Sequence, residues 1–190
     1  PCAAMGLRVG LGGRGPGLHD AGARLIAPER LARLFAALGL ARPTRRIVMR
    51  PCAAPGLGTG LSTAALIGAA RAAGWQGRPE VLAAACLAVE GASDPLMFAA
   101  PGRLLWASRQ GRVLARRGPL PRLSVVGGFY GPPRRTDPQD DDFPDISDLV
   151  AAWQQAQDAA TLGASARDSA ARTLALRGPA GDPTADLARA

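Results

Sequence analysis

The chain has 190 residues, 47% hydrophobic and 20% charged, a composition that can bury a core and is not that of a disordered chain. Its net charge is +8 and all 23 basic residues are Arg; they are scattered, and only 4% of residues are aromatic, which argues against a nucleic-acid surface built from clustered Arg and stacking rings. No apolar stretch reaches the roughly 18–20 residues of a membrane span, and no basic segment leads into an apolar run at the N-terminus, so neither a span nor a signal peptide is expected.

Opening on Pro1 rather than Met, the chain is expected to be a fragment or a processed form. Apolar pieces at Gly6–Val9 and Ala23–Ile26, separated by the Gly-rich stretch Gly12–Gly17, predict two strands with a loose connection. Residues 28–38 predict a helix. Pro28 suits its first position, Leu31, Leu34, Phe35 and Leu38 make one apolar face, and Gly39 can end it. A strand at 47–50 leads into a glycine loop and a helix at 62–73, opened by Ser62 and Thr63 and closed by Gly74.

Pro79 opens a helix over 80–90 with Val81, Leu82, Ala85, Cys86 and Val89 as its buried stripe. Strands at 103–108 and 112–116 are predicted around the turn Gln110-Gly111. The Pro-rich Arg117–Arg122 is the candidate boundary between a domain at 1–118 and one at 119–190. Leu123–Tyr130 reads as a strand, with Gly127-Gly128 marking a bulge or a close backbone approach. A polar loop at 131–145, helices at 146–160 and 162–176, and the start of another helix at 182–187 complete the chain. Interleaved helices and strands with one hairpin make the fold class α+β.

Cys2, Cys52 and Cys86 have no C-x-x-C spacing and His19 is the one histidine, which argues against a zinc site. Cys86 belongs to an apolar helical pattern and is expected in the core, and a reducing cytoplasm fits best. His19 is expected on a surface loop, and Trp75, Trp106 and Trp153 in the core or an interface.

The chemistry centres on Arg50–Ala70. An apolar run ends at Pro51, a loop carries Gly56, Gly58 and Gly60, and an Ala-rich helix follows. Strand, glycine loop and helix start together aim bare backbone N–H groups at a phosphate. A Walker loop needs a Lys after the glycines, and this chain contains none. The dinucleotide fingerprint needs G-x-G-x-x-G, which Gly56-Leu-Gly-Thr-Gly-Leu does not match, and Glu80 is the only acid at a suitable distance.

Pro51, Gly56, Leu57, Gly58 and Thr59 instead resemble the motif of the GHMP kinases (galactokinase, homoserine kinase, mevalonate kinase, phosphomevalonate kinase), Pro-x-x-x-Gly-Leu-Gly-Ser-Ser. Gly60 stands where a second Ser is usual, and the Pro-to-Gly gap is longer. Ala88–Phe98 followed by Leu104–Leu114 is similar to the propanediol-utilisation and L-threonine-kinase-like branch, which carries Glu-x-x-x-Asp before a strand, turn and strand. Val125-Val-Gly-Gly-Phe is similar to that branch's second-domain opening strand. Its members run longer, so the chain is expected to be truncated at both ends.

The resemblance implies a ribosomal-protein-S5-domain-2-like N-terminal part and a partial ferredoxin-like C-terminal part. It implies an ATP-dependent, Mg²⁺-dependent cytoplasmic kinase that phosphorylates a hydroxyl of a small molecule such as L-threonine, as a monomer or homodimer, without nucleic-acid or membrane partners. Pro55, Gly56, Leu57, Gly58, Thr59, Gly60, Ser62 and Thr63 would hold the nucleotide, Glu90 and Ser62 the Mg²⁺, and Asp94 would be the base or orienting carboxylate. Other readings stand beside these. Ser62 can be a simple N-cap, Asp94 before Pro95 a turn residue, and Arg134 and Arg135 either a grip on a substrate anion or neutralisers of Asp140–Asp142. A catalytically degenerate binding relative, and a phosphosugar-dependent synthase with a Gly-Leu-Gly-Ser-Gly loop, are the alternative functions.

Overall fold

The computed structural model describes residues 6–124, 127–129, 131–133, 137, 139–179 and 181–184. The chain is α+β and divides into two compact units, Pro1–Arg116 with Gly128–Gln139, and Arg117–Gly127 with Asp140–Ala190. No helix among the described residues is long and apolar enough to cross a membrane.

In the first unit, β1 (Leu7–Gly12), β2 (Leu18–His19) and β3 (Arg46–Pro51) form a mixed sheet in the order β1-β3-β2. β1 runs antiparallel to β3 and β2 parallel to it. A parallel pair needs a crossover, and α1 (Pro28–Ala37) supplies it. Along β3, Ile47 and Met49 are buried while Arg46 and Arg50 are exposed, the period-two alternation of a strand with one face on a core. That core collects Leu34 and Phe35 from α1, Leu66 and Ala69 from α2 (Leu61–Ala72), and Leu82 and Cys86 from α3 (Pro79–Glu90). A Cβ on Gly68 would lie 2.4 Å from Val9 Cγ2, so the lack of a side chain there lets α2 lie close against β1. The antiparallel hairpin of β4 (Leu104–Ala107) and β5 (Arg112–Arg116) turns at Gly111, whose φ is 63°.

Cys86 is fully buried, and burial, followed by the nearby charge of Glu90, pushes its thiol up to about 12. A thiol that is not ionised at neutral pH is a poor nucleophile. Cys52 is exposed. Titration of the native protein with a thiol-reactive disulfide is therefore expected to modify Cys52 rapidly and to reach Cys86 only after denaturation.

The second unit contains α4 (Ser147–Gln155) and α5 (Ala159–Arg177). Ala156 and Leu162 are its buried apolar residues among those described, and arginines supply much of its order. Arg117 donates to the carbonyls of Trp153 (2.9 Å) and Ala156 (2.6 Å) at the end of α4 and lies 5.0 Å from the Trp153 ring centre. Arg172 grips Asp148 with two hydrogen bonds of 2.7 and 2.6 Å, which holds the Asp148 carboxyl down at about 2. Arg177 pairs with Asp140 and stacks on Phe143.

Several expectations need correction. Ala23–Ile26 is not a strand. Arg24 has φ 50°, and the Leu25 N–H donates to Asp20 Oδ2 at 2.7 Å, so the segment is a turn whose apolar residues enter the core. The short second strand is Leu18–His19, and His19 lies in it, exposed, rather than in a loop. Val81, assigned to the buried stripe of α3, is 50% exposed. Leu123, Ser124 and Gly127–Phe129 form no strand, while Val125, Val126 and Tyr130 lie outside the described residues. Arg134, Arg135 and the helix expected over 182–187 beyond Thr184 also lie outside them. The break between the last two helices comes earlier than expected, because Asp158 caps α5 by accepting from the Thr161 N–H at 2.8 Å and its hydroxyl at 2.9 Å.

Candidate functional site

The glycine loop is tied at its start to the residue before β1: the Cys52 N–H donates to the Gly6 carbonyl at 3.0 Å. It ends at Gly60, the N-cap of α2, with φ 70° and no side-chain cap. Ser62 and Thr63 do not cap the helix. Their hydroxyls turn to the end of α3 instead. The Ser62 hydroxyl donates to Glu90 Oε1, and the buried Thr63 hydroxyl donates to Glu90 Oε2 at 3.3 Å. Thr63 Oγ1 in turn accepts from the Asp94 backbone N–H at 3.2 Å. One hydroxyl thus links the Glu90 carboxylate to the loop that bears Asp94. The first turn of α2 carries no acid of its own; the carboxylates at the helix start are Glu90, bonded to Ser62 and Thr63, and Asp94, which lies against Gly60.

Two neighbours fix the carboxylates. Gly91 closes α3 in the left-handed region, and Arg33 of α1 donates to the Val89 carbonyl at 3.2 Å. The loop after α3 is pinned to the hairpin: the Ser93 N–H donates to the Ser108 carbonyl, and the Trp106 indole N–H donates to the Ser93 carbonyl at 2.6 Å. Trp106 also meets Phe98 edge-on, with ring centres 5.5 Å apart.

The result is a cavity of about 320 Å³ lined by Pro55, Gly56, Gly58, Thr59, Gly60, Ser62, Thr63, Glu90 and Asp94. Leu57 is half-buried in the same loop but does not line it. Both carboxyls are held above the usual range. For Glu90 desolvation is the main cause; the Ser62 and Thr63 hydrogen bonds and the charge of Arg30 oppose it, and Asp94 adds to it. Asp94 is open to solvent on one side yet partly desolvated, which raises it too.

The donor set can be tested against Mg²⁺. Among the described residues no group of three or more His, Cys, Asp or Glu gathers as a metal cage. Mg²⁺ usually takes one or two carboxylates beside phosphates and water. Glu90 is desolvated, has hydroxyl partners, and forms no ion pair with a described residue. That is a carboxylate suited to a cation arriving with a phosphate.

Gly60 answers to the local geometry. A Cβ there would lie 2.9 Å from Asp94 Oδ2 and 3.3 Å from Leu96 Cδ1, on a backbone at φ 70°. Gly60→Ser is therefore expected to destabilise the fold by about 1–3 kcal/mol through left-handed strain alone, and to displace the Asp94 carboxylate. Thermal melting checks the first effect and nucleotide turnover the second. Thr63→Val preserves shape but removes both links of the hydroxyl bridge. It is expected to cost on the order of 1 kcal/mol and to speed hydrogen exchange at the Asp94 amide.

Arg24, Arg30, Ser93, Ser108 and Arg109 line the cavity as well, and no motif marks them. Arg30 and Arg33, three residues apart on one helix face, were a detectable signal; Arg24 was not, since the turn at Asp20–Leu25 is what presents it. Compared with known protein families, curated proteins and solved structures, the chain matches none.

Proposed function

We propose that this chain is an ATP-dependent kinase of the GHMP type, transferring the terminal phosphoryl group of Mg·ATP to the hydroxyl of a small molecule in the cytoplasm. The supporting observation is a single cavity that holds the glycine-loop start of α2 together with Glu90 and Asp94, linked through Thr63. Phosphoryl transfer proceeds through a loose, highly charged transition state, so positioning and charge neutralisation are the main tasks of the protein. The first-turn amides of α2, whose N-cap has no side-chain partner, would bind the phosphates, and the α2 dipole would add to their pull. Glu90 and Ser62 would hold Mg²⁺, which would supply neutralisation of phosphate charge. Asp94 orients the acceptor hydroxyl and receives its proton as the oxygen bonds to phosphorus and the bond to ADP breaks. The family resemblance points to an amino-acid alcohol such as L-threonine as acceptor.

Isothermal titration with ATP, in Mg²⁺ and in EDTA, tests this reading. Saturable binding that needs Mg²⁺ is expected; no binding in either condition overturns it. Binding with no turnover for any hydroxyl acceptor would favour a non-catalytic nucleotide-binding protein.

A further inference from the structure

We propose that the solvent face of the β1-β3-β2 sheet is a docking surface for an extended acidic segment of a partner protein, whose carboxylates, four residues apart, seat on Arg50 and Arg46. The surface is independent of what the glycine loop binds. Positive charge is concentrated in this part of the chain. Residues 1–60 carry nine arginines against two acids, Asp20 and Glu29, which is seven of the net +8. Arginines that are scattered in the sequence are gathered by the fold.

The strand register decides which face they take. Val9 and Met49 stand opposite each other and turn to the core, where Val9 meets Gly68 of α2. The alternate pairs Arg8–Arg50, Gly10–Val48 and Gly12–Arg46 therefore turn outward, and His19, paired with Val48, joins them. Arg8, His19, Arg46 and Arg50 are exposed, and no ion pair between described residues engages the three arginines. No acid stands among these outward residues. Arg8 and Arg50 are directly opposite, with Cβ atoms about 4.5–5.5 Å apart, and a like-charge pair in that position destabilises a sheet. Charges that block edge-to-edge pairing belong on edge strands. β3 is the central strand, so that role does not account for Arg46 and Arg50. An anionic segment laid along β3 turns the repulsion into attraction.

Shape and chemistry select the partner. Arg46 and Arg50 are four residues apart along β3, about 13 Å at about 3.3 Å per residue. That is the spacing of side chains i and i+4 on one face of an extended peptide. Between them Gly10 leaves open space, since a Cβ there would meet nothing within 4 Å, and a small residue at i+2 fits above it. The face presents no Phe, Tyr or Trp on which a nucleobase could stack. Val48, half-buried, is its one large apolar side chain, too little to insert into a lipid surface.

Fluorescence anisotropy of the full chain with a labelled peptide of three Glu-Thr-Gly-Thr repeats, its Gln counterpart and an oligothymidylate of equal charge tests the assignment, with co-sedimentation on phosphatidylserine vesicles in parallel. The Glu peptide is expected to bind at least about fivefold more tightly than the Gln peptide at low salt, and the preference should fade as salt is raised. Arg8→Gln and Arg50→Gln should each weaken it by about two- to fivefold, the worth of one exposed ion pair, and should melt no lower than the native chain because the like-charge pair is gone. Arg167→Gln, on the exposed side of α5, removes the same charge and should leave peptide binding unchanged. Equal binding of the two peptides, or equal weakening by Arg167→Gln, overturns the surface. Tighter binding of the oligothymidylate or the vesicles that Arg50→Gln weakens, or self-association that Arg50→Gln abolishes, overturns the acidic-peptide partner. The comparison of Glu and Gln peptides on the native chain stands even where a variant fails to fold.

Discussion

Asp94→Asn is expected to lower substrate-dependent ADP formation by about a hundred- to ten-thousand-fold, the usual worth of a positioned general base, while Mg·ATP affinity stays within about twofold, since the amide leaves phosphate contacts intact. Asn keeps the shape of the side chain and the backbone N–H bonded to Thr63, so the loop stays in place. What disappears is a carboxylate that can accept the hydroxyl proton. Partial desolvation raises the Asp94 carboxyl, so its proton affinity is closer to that of the reacting hydroxyl in the transition state. Activity should accordingly fall as pH drops through the raised Asp94 value, because a protonated Asp94 cannot act as a base. An unchanged rate in Asp94→Asn would place the base elsewhere.

Glu90→Gln should separate stability from function. The folded-state carboxyl of Glu90 lies above its unfolded value, chiefly through desolvation. Between those two values the folded chain binds more protons than the unfolded chain, so stability is highest below the unfolded value and falls as pH rises through the folded one. A neutral Gln removes this penalty and can still accept one of the bonds from Ser62 and Thr63. The variant is expected to melt a few degrees higher than the native protein at neutral pH without Mg²⁺, with the gap closing at acid pH. It should also lose the Mg²⁺-dependent part of ATP binding. Stability held in reserve at a carboxylate of this kind is the ordinary trade between a functional site and its fold. Melting curves at pH 4 and 7.5, with and without Mg²⁺, read both effects.

The parts legible in the sequence are those set by local punctuation. Pro28 and Pro79 start α1 and α3, as proline at a first helical position predicts, and Gly91 ends α3 after Glu90. The apolar periodicity of Leu34 and Phe35, and the burial of Cys86, follow from helical spacing alone. The parts that were not legible depend on long-range partners. Ser62 and Thr63 look like caps locally, yet their hydroxyls serve Glu90 across 28 and 27 residues of chain. Gly60 looks like a lost hydroxyl until Asp94 Oδ2 is found where its side chain would go. Leu25 and Ile26 carry the apolar signal of a strand, but a left-handed Arg24 and the Asp20 carboxylate turn them into a core-facing loop. Leu123–Phe129 shows the reverse limit: apolar residues and glycines without a partner strand remain irregular at the positions described.

The central claim is that polyphosphate binds on the amides of Gly56, Gly58 and Gly60 and the first turn of α2. Amide chemical-shift mapping during titration of the full chain with Mg·ATP tests it directly. Saturable shifts concentrated at Gly56, Gly58, Gly60, Leu61 and Ser62, and lost in EDTA, are the predicted result. Saturable binding that leaves those amides unmoved, or no binding at all, would contradict it.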